Sequence, residues 1–321
     1  MSEKYETIVP SEPDAGERLQ WVSWLRSAAP YVHLHHGRTF VISFAGEVVA
    51  DRTLLNHLVM DVSLIASMGM RVVLVHGSRP QIEELMGLRK LEGQFYKGVR
   101  ITGPQELECV KEACGETRFD IEAAFSQGLP NTPMQHSRIK VVSGNFVTAR
   151  PMGIIDGVDY LHTGVVRKVD AESIQDLLSR GNIVLVSPTG FSPTGEAFNL
   201  TTEDVATAIA VAIHADKLIL SVGVDGVRVR GEKQQDLTAQ QAQALIQSKQ
   251  VDDEDVYNLG YALRAIKGGV DRVHIVPYAM DGGILTELFT HDGVGTMIST
   301  ENMESLREAT IDDVAAIVKL L

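Results

Sequence analysis

Cysteine is scarce, with Cys109 and Cys114 the only two in 321 residues. Their spacing fits neither a CxxC pair nor a disulfide scaffold, so the chain reads as holding two reduced thiols in a cytosolic setting. Five positions apart on a helical stretch, they are expected on different faces, and neither reads as a nucleophile. No apolar run approaches the ~18 residues of a membrane helix, which excludes a helical span. Positive charge is also short: 29 Lys and Arg stand against 42 Asp and Glu, a net charge of −13. That balance excludes the basic footprint of a nucleic-acid binder and disfavours an anionic membrane surface. The opening MSEKYETIVPSEPDAGER lacks an apolar core, so no secretory leader is read there and a cytoplasmic location is expected. His33, His35 and His36 bring no further ligand with them, so they read as a surface cluster, with His33 and His35 sharing a strand face, and no metal is expected.

What the chain does have is a core. It is 44% apolar with 28 Gly and 11 Pro, enough for one large or two medium domains. Residues 1–16, with Pro10, Pro13 and Gly16 among charges, read as disordered. From Glu17 an amphipathic helix is expected, with Trp21, Trp24, Leu25 and Ala28 on one face and Pro30 as its end. Those tryptophans either pack on their own domain or anchor a subunit contact. Buried strands follow at 39–44, 71–75, 139–143, 183–187, 217–222, 272–276 and 296–299. Helices fall between them at 53–68, 104–128, 171–180 and 201–215, the last with Thr201 as N-cap and Asp204 in a capping box. Such alternation implies an α/β fold, a three-layer sandwich around a mostly parallel sheet. In the last eighteen residues a short extended piece leads to a helix near Asp312. By pattern alone this is either a second domain's opening or a helix docking back.

The stretches FVISFAGE (40–47), VLVHGSRPQI (73–82), YKGVRIT (96–102), VVSGNF (141–146), NLTTEDVA (199–206) and ELFTHDGVGTMI (287–298) occur in order. Together they resemble the amino-acid-kinase fold as used in bacterial N-acetylglutamate synthases, from about Pro30 to Ile311. An acylphosphate-forming kinase needs a lysine at the end of its first strand and consecutive backbone N–H groups from glycine-rich turns to hold the transferring phosphoryl group. Kinase relatives carry K-x-G-G and H-G-G-G there. This chain has Ser43 in place of the lysine, with Gly46 following, and His76-Gly77-Ser78-Arg79 in place of the second turn. Side chains at Ser78 and Arg79 restrict backbone approach to an anion, and a guanidinium does not replace an ammonium at a tight phosphate. Asn199 and Glu203 mark a third departure, from N-x-N-x-D. Arg100 matches the kinases' substrate-carboxylate position and reads as a relic or a structural ion-pair partner. The kinase site is therefore expected to be degenerate.

The resemblance also implies a regulatory site for L-arginine, lined by Tyr31, Lys217, His274, Glu287, Gly293 and Gly295. A carboxylate such as Glu287 suits a guanidinium, and the two glycines let a loop approach a small ligand. It further implies a subunit-contact helix at 17–30, an arginine-sensing kinase-like domain at 31–303, and the first strand and partial helix of a truncated GNAT acetyltransferase domain at 304–321. Homo-oligomers, hexamers among them, would form through the N-terminal helices. Acetyl-CoA would be the co-substrate of the full enzyme, which acetylates L-glutamate in the first step of L-arginine synthesis, with no cofactor bound by this chain. The rival expectation is an active N-acetylglutamate kinase using ATP.

Overall fold

The computed structural model describes residues 15–127 and 139–300. The centre is an eight-stranded sheet in the spatial order Asp236–Thr238, Thr296–Ser299, Arg272–Pro277, Lys217–Val222, Thr39–Phe44, Arg71–His76, Ile183–Val186 and Val141–Ser143. Neighbours run parallel except where Thr296–Ser299 lies antiparallel to Arg272–Pro277. The central strands are near-continuous runs of Val, Ile, Leu and Phe because helices cover both faces, leaving no solvent side for polar alternation.

Side-chain alternation divides these strands between two cores. Phe40, Ile42 and Phe44 face one way, under the helices Arg52–Ser67, Pro104–Ser126 and Gly283–Phe289. Val41, Val73 and Leu218 face the other, under Ala171–Ser179, Thr202–Ala212 and Asp253–Lys267. A third, smaller core holds Ile82, Met86, Cys109, Val110, Ala113 and Cys114. Both thiols sit in it, buried although five positions apart on the helix, because Pro104–Ser126 is covered on more than one side. Burial pushes the Cys114 thiol up to about 11, so it is not a nucleophile at neutral pH.

A separate four-stranded sheet, Ala197–Asn199, Thr189–Phe191, Val147–Pro151 and Gly164–Val169, did not stand out in the sequence. Its strands are short and interrupted by Gly and Pro, so they lack the long buried runs of the main sheet.

Three local expectations are corrected. The N-terminal helix runs Ala15–His35 and contains Pro30; it continues past the proline because Tyr31, Val32 and His35 pack on the body of the fold. Tyr31, His33 and His35 are therefore helical, with His33 and His36 exposed and His35 buried, not on a strand face. Trp21 and Trp24 are 62% and 51% exposed, so they do not pack on their own domain. Thr201 occupies the N-cap without capping: its hydroxyl meets the Tyr261 hydroxyl at 3.2 Å. Asp204 pairs with Arg264 at 2.7 Å and accepts the Val166 N–H at 3.0 Å, so no capping box forms. The first fourteen residues of the expected disordered stretch, and all of 304–321, lie outside the described residues.

Candidate functional site

Strands Thr39–Phe44 and Arg71–His76 end side by side, Phe44 opposite His76. In an open parallel sheet this carboxyl-end crevice is where a ligand is expected. Here the two following turns pack on each other. The Gly77 N–H donates to the Phe44 carbonyl at 2.7 Å, and the Gln81 side-chain amide donates to the Gly46 carbonyl at 2.9 Å. A Cβ at Gly77 would lie 2.8 Å from the Gly46 nitrogen, and one at Gly46 would lie 2.7 Å from Gln81 Oε1 and 2.8 Å from Pro80 Cδ. Both glycines are thus required by loop-on-loop packing.

The remaining groups of that cleft are likewise engaged. His76 is fully buried; burial drops its pKa to about 4, so the ring is neutral. Its Nδ1 lies 3.1 Å from the Gly77 carbonyl and its Nε2 accepts the Ser187 hydroxyl at 2.8 Å. Ser78 Oγ lies 3.1 Å from His76 Nδ1. Ser43 is buried. Arg100 pairs with Glu83, reaches Met86 Sδ at 3.2 Å and lies 4.6 Å over the Phe95 ring, which Arg79 approaches at 5.5 Å. Of the two readings for Arg100, the ion-pair partner is the arrangement present. Asn199 donates to Thr102 Oγ1 at 3.0 Å, and Glu203 accepts from the Tyr257 hydroxyl at 3.2 Å.

The second centre lies on the Gly283–Phe289 face of the sheet. Lys217 opens its strand, and two residues in from the start of the neighbouring strand is His274. Lys217 Nζ stands 3.2 Å from His274 Nε2, and His274 Nδ1 donates to Glu287 Oε1 at 2.7 Å. Glu287 Oε2 accepts the backbone N–H groups of Val294 and Gly295 at 2.7 and 2.9 Å. A row of five groups thus runs from an ammonium through an imidazole and a carboxylate to two loop amides. The His274 and Glu287 side chains are 4% and 5% exposed.

The charge states follow from the surroundings. Burial opposes ionisation of Glu287, but the hydrogen bond from His274 and those from the two loop amides outweigh it and hold the carboxyl at about 2. Burial, then the Lys217 ammonium, drop His274 to about 4, which leaves a neutral ring protonated on Nδ1. Burial and Arg272 lower Lys217 to about 8. One buried cation and one buried anion therefore balance across a neutral imidazole.

The glycines fit tightly around Glu287. Gly293 has φ +60°, and a Cβ on it would lie 2.5 Å from Glu287 Oε2. A Cβ on Gly295 would lie 2.1 Å from the Ile275 carbonyl oxygen. Lys217, His274, Glu287, Gly293 and Gly295 are thus brought together. Tyr31 stands one turn before His35 on the N-terminal helix. His35, weighed only within a surface cluster, proves to tie that helix down: its Nε2 donates to the Leu288 carbonyl at 3.0 Å between the Phe40 and Phe289 rings. Nothing in its local pattern separates it from His33 and His36.

The strand order and the paired turns after the first two strands define the class, and residues 38–277 match the amino acid kinase family. Carbamate kinase from Giardia lamblia bound to AMP-PNP aligns with a TM-score of 0.63 at 14% identity, over 83% of this chain and 99% of that one, a likeness of fold. A Ralstonia nicotianae protein named amino-acid acetyltransferase is 55% identical over 96% of this chain and 68% of its own length. An Ectopseudomonas mendocina protein of the same name is 48% identical over 94% of this chain and 69% of its own. N-acetylglutamate synthase from Neisseria gonorrhoeae, solved with coenzyme A and L-arginine, aligns with a TM-score of 0.83 at 35% identity, over 94% of this chain and 70% of that one. The chain belongs to this family of amino-acid acetyltransferases, N-acetylglutamate synthases among them, and comprises its amino-acid-kinase-like part.

Proposed function

We propose that this domain is a sensor of L-arginine within an N-acetylglutamate synthase, and that its kinase cleft transfers no phosphate. The observation that carries the first half is the Glu287 centre. It is a buried carboxylate held ionised beside a two-glycine loop, at the foot of the helix bearing Tyr31 and His35. The relative from Neisseria gonorrhoeae, crystallised with L-arginine, supports the choice of ligand. The second half rests on the cleft, where Gly46 and Gly77 meet each other, no lysine follows the first strand and Arg100 is spent on Glu83. The exposed face with Trp21, Trp24 and Leu25 is assigned to contact between copies of the chain in a homo-oligomer. Acetyl transfer from acetyl-CoA to L-glutamate, and residues 304–321 as the opening of the domain that performs it, complete the reading, in the cytoplasm.

The test is calorimetric. L-arginine at millimolar concentration raises the melting temperature of the unmutated chain, and Glu287→Ala abolishes the rise. No rise in the unmutated chain refutes the sensor. Release of ADP dependent on N-acetylglutamate refutes the dead cleft and restores the kinase reading.

A further inference from the structure

Against the loop that cradles Glu287 lies a short hairpin, Arg228–Val229 paired with Glu232–Lys233. Arg230 and Gly231 join its strands with φ of +53° and +89°, the left-handed pair of a type I′ turn. That turn sets the register, so Arg228 stands directly opposite Lys233. Two cations across a hairpin repel unless each is drawn to an acceptor of its own. Arg228 is drawn to Asp225, donating to its two carboxylate oxygens at 3.1 and 2.7 Å. Lys233 donates instead to the Val294 carbonyl at 2.8 Å.

Neutral groups seat the rest of the hairpin. The buried Thr296 hydroxyl accepts the Val227 N–H at 2.8 Å and donates to the Gln234 carbonyl. The Met297 N–H donates to the Gln235 carbonyl at 2.8 Å. A Cβ on Gly226, whose φ is +112°, would lie 2.7 Å from Thr296 Oγ1 and 3.2 Å from the Gly295 carbonyl carbon. The hairpin is thus fixed before Lys233 is counted, and Lys233 adds a charged contact at one chosen peptide.

That peptide is the one that matters to Glu287. The Val294 carbonyl and the Gly295 N–H share one peptide plane, and in a trans peptide they point in opposite directions. Lys233 holds the oxygen on one side of the loop, and the N–H donates to Glu287 Oε2 at 2.9 Å on the other. A charged donor on the carbonyl draws electron density from the nitrogen, which makes its N–H a stronger donor. The Val294 N–H also reaches Glu287 Oε2, at 2.7 Å, but belongs to the preceding peptide, whose carbonyl is that of Gly293.

We propose that Lys233 is a positioning residue for the Glu287 centre: through the Val294–Gly295 peptide it orients and strengthens one of the two amides that hold the carboxylate. It deepens the sensor reading and rests on it for the identity of the ligand, not for the peptide contact. Lys233 and the carboxylate lie on opposite sides of the loop, so the lysine acts on ligand affinity without touching the ligand.

The experiment compares the unmutated full chain with Lys233→Met, which keeps the side chain's reach and removes the donor, and with Lys233→Arg, which restores one. Amide proton resonances of Val294 and Gly295 are recorded without ligand on chain isotope-labelled in valine and glycine, and affinity for L-arginine is measured by titration calorimetry. In Lys233→Met the Gly295 amide proton moves upfield and that of Val294 moves less. Arginine then binds about tenfold more weakly, the scale of a lost hydrogen bond to a charged group. Lys233→Arg recovers most of both changes. An unmoved Gly295 amide, or equal movement of the two amides as a loop displaced as a whole would give, overturns the proposal. So does an arginine affinity unchanged in Lys233→Met, or a Lys233→Arg chain no better than Lys233→Met. A selective Gly295 shift with no arginine binding by the unmutated chain upholds the positioning role and refutes the sensor instead.

Discussion

Replacing Glu287 with alanine removes the acceptor from three buried donors at once: His274 Nδ1–H and the N–H groups of Val294 and Gly295. It also leaves Lys217 as a buried cation with its balancing anion gone. Stranding a buried donor costs about 1–3 kcal/mol, and breaking a buried ion pair from one side costs about 3–5 kcal/mol. These overlap, and the loop 293–295 recovers part of its amide bonding from water, so about 3–5 kcal/mol is expected in total. For a chain of this size about 2 °C of melting temperature accompanies each kcal/mol, so Glu287→Ala melts roughly 6–10 °C lower at pH 7 in scanning calorimetry. Glu287→Gln is the sharper probe. With its NH2 turned to the loop it strands the Val294 and Gly295 N–H groups, and with its NH2 turned to His274 it drives the ring to the other tautomer, against the Lys217 ammonium. That penalty shrinks once Lys217 is neutral. Glu287→Gln therefore costs less above pH 9 than at pH 7, and less in a Lys217→Met background. A melting temperature for Glu287→Ala within about 1 °C of the unmutated chain, or a Glu287→Gln penalty blind to both pH and Lys217, refutes the row of hydrogen bonds as described.

Further expectations concern the same elements. Gly295→Ala drives a Cβ to 2.1 Å from the Ile275 carbonyl oxygen and unzips the Ile275–Thr296 pairing, so urea unfolding shows a loss of about 2–4 kcal/mol; an unchanged midpoint refutes it. Acid stability follows the groups whose native pKa is displaced. His35, His76 and His274, each lowered to about 4 by burial first, contribute stability that is lost as pH falls from 6.5 toward 4. Glu287, lowered to about 2, adds a further loss between about 4.5 and 2. Asp61, raised to about 7, works the other way, its contribution growing as pH falls from 7 toward 3.8. At pH 5 these five groups together take up about two protons on unfolding, which calorimetry in buffers of different ionisation enthalpy measures; net proton release refutes the assignment. His35→Phe, which keeps the ring contacts but loses the bond to the Leu288 carbonyl, detaches the N-terminal helix by about 1 kcal/mol. Faster proteolysis near Pro30 with little change in global melting reports it, and an unchanged cleavage rate refutes it.

The main sheet was legible because its strands are buried on both faces, so the same runs that define them exclude other assignments. That the motifs differ from the kinase pattern was also legible, since a missing lysine and two missing glycines are visible without coordinates. Three things were not. The small sheet built from Val147–Pro151, Gly164–Val169, Thr189–Phe191 and Ala197–Asn199 has strands too short to carry a period. The helix through Pro30 persists because contacts at Tyr31, Val32 and His35, distant in sequence from their partners, outweigh a local breaker. His35 sits between two exposed histidines with nothing nearby to mark it, since its partner at the Leu288 carbonyl is 253 residues away.

Gly46 and Gly77 have a consequence for reversibility. Gly77 is held against the Gly46 nitrogen, and Gly46 against Pro80 and Gln81, so the two turns pack on one another. A lysine at position 43, where Ser43 is buried, places an ammonium out of water beside the packed turns, which is unfavourable until they separate. Removing Gln81 or Pro80 first gives up packing and a hydrogen bond while nothing yet occupies the opening. Under the proposed reading each single step toward nucleotide binding is therefore uphill, because the two glycines hold the turns against one another.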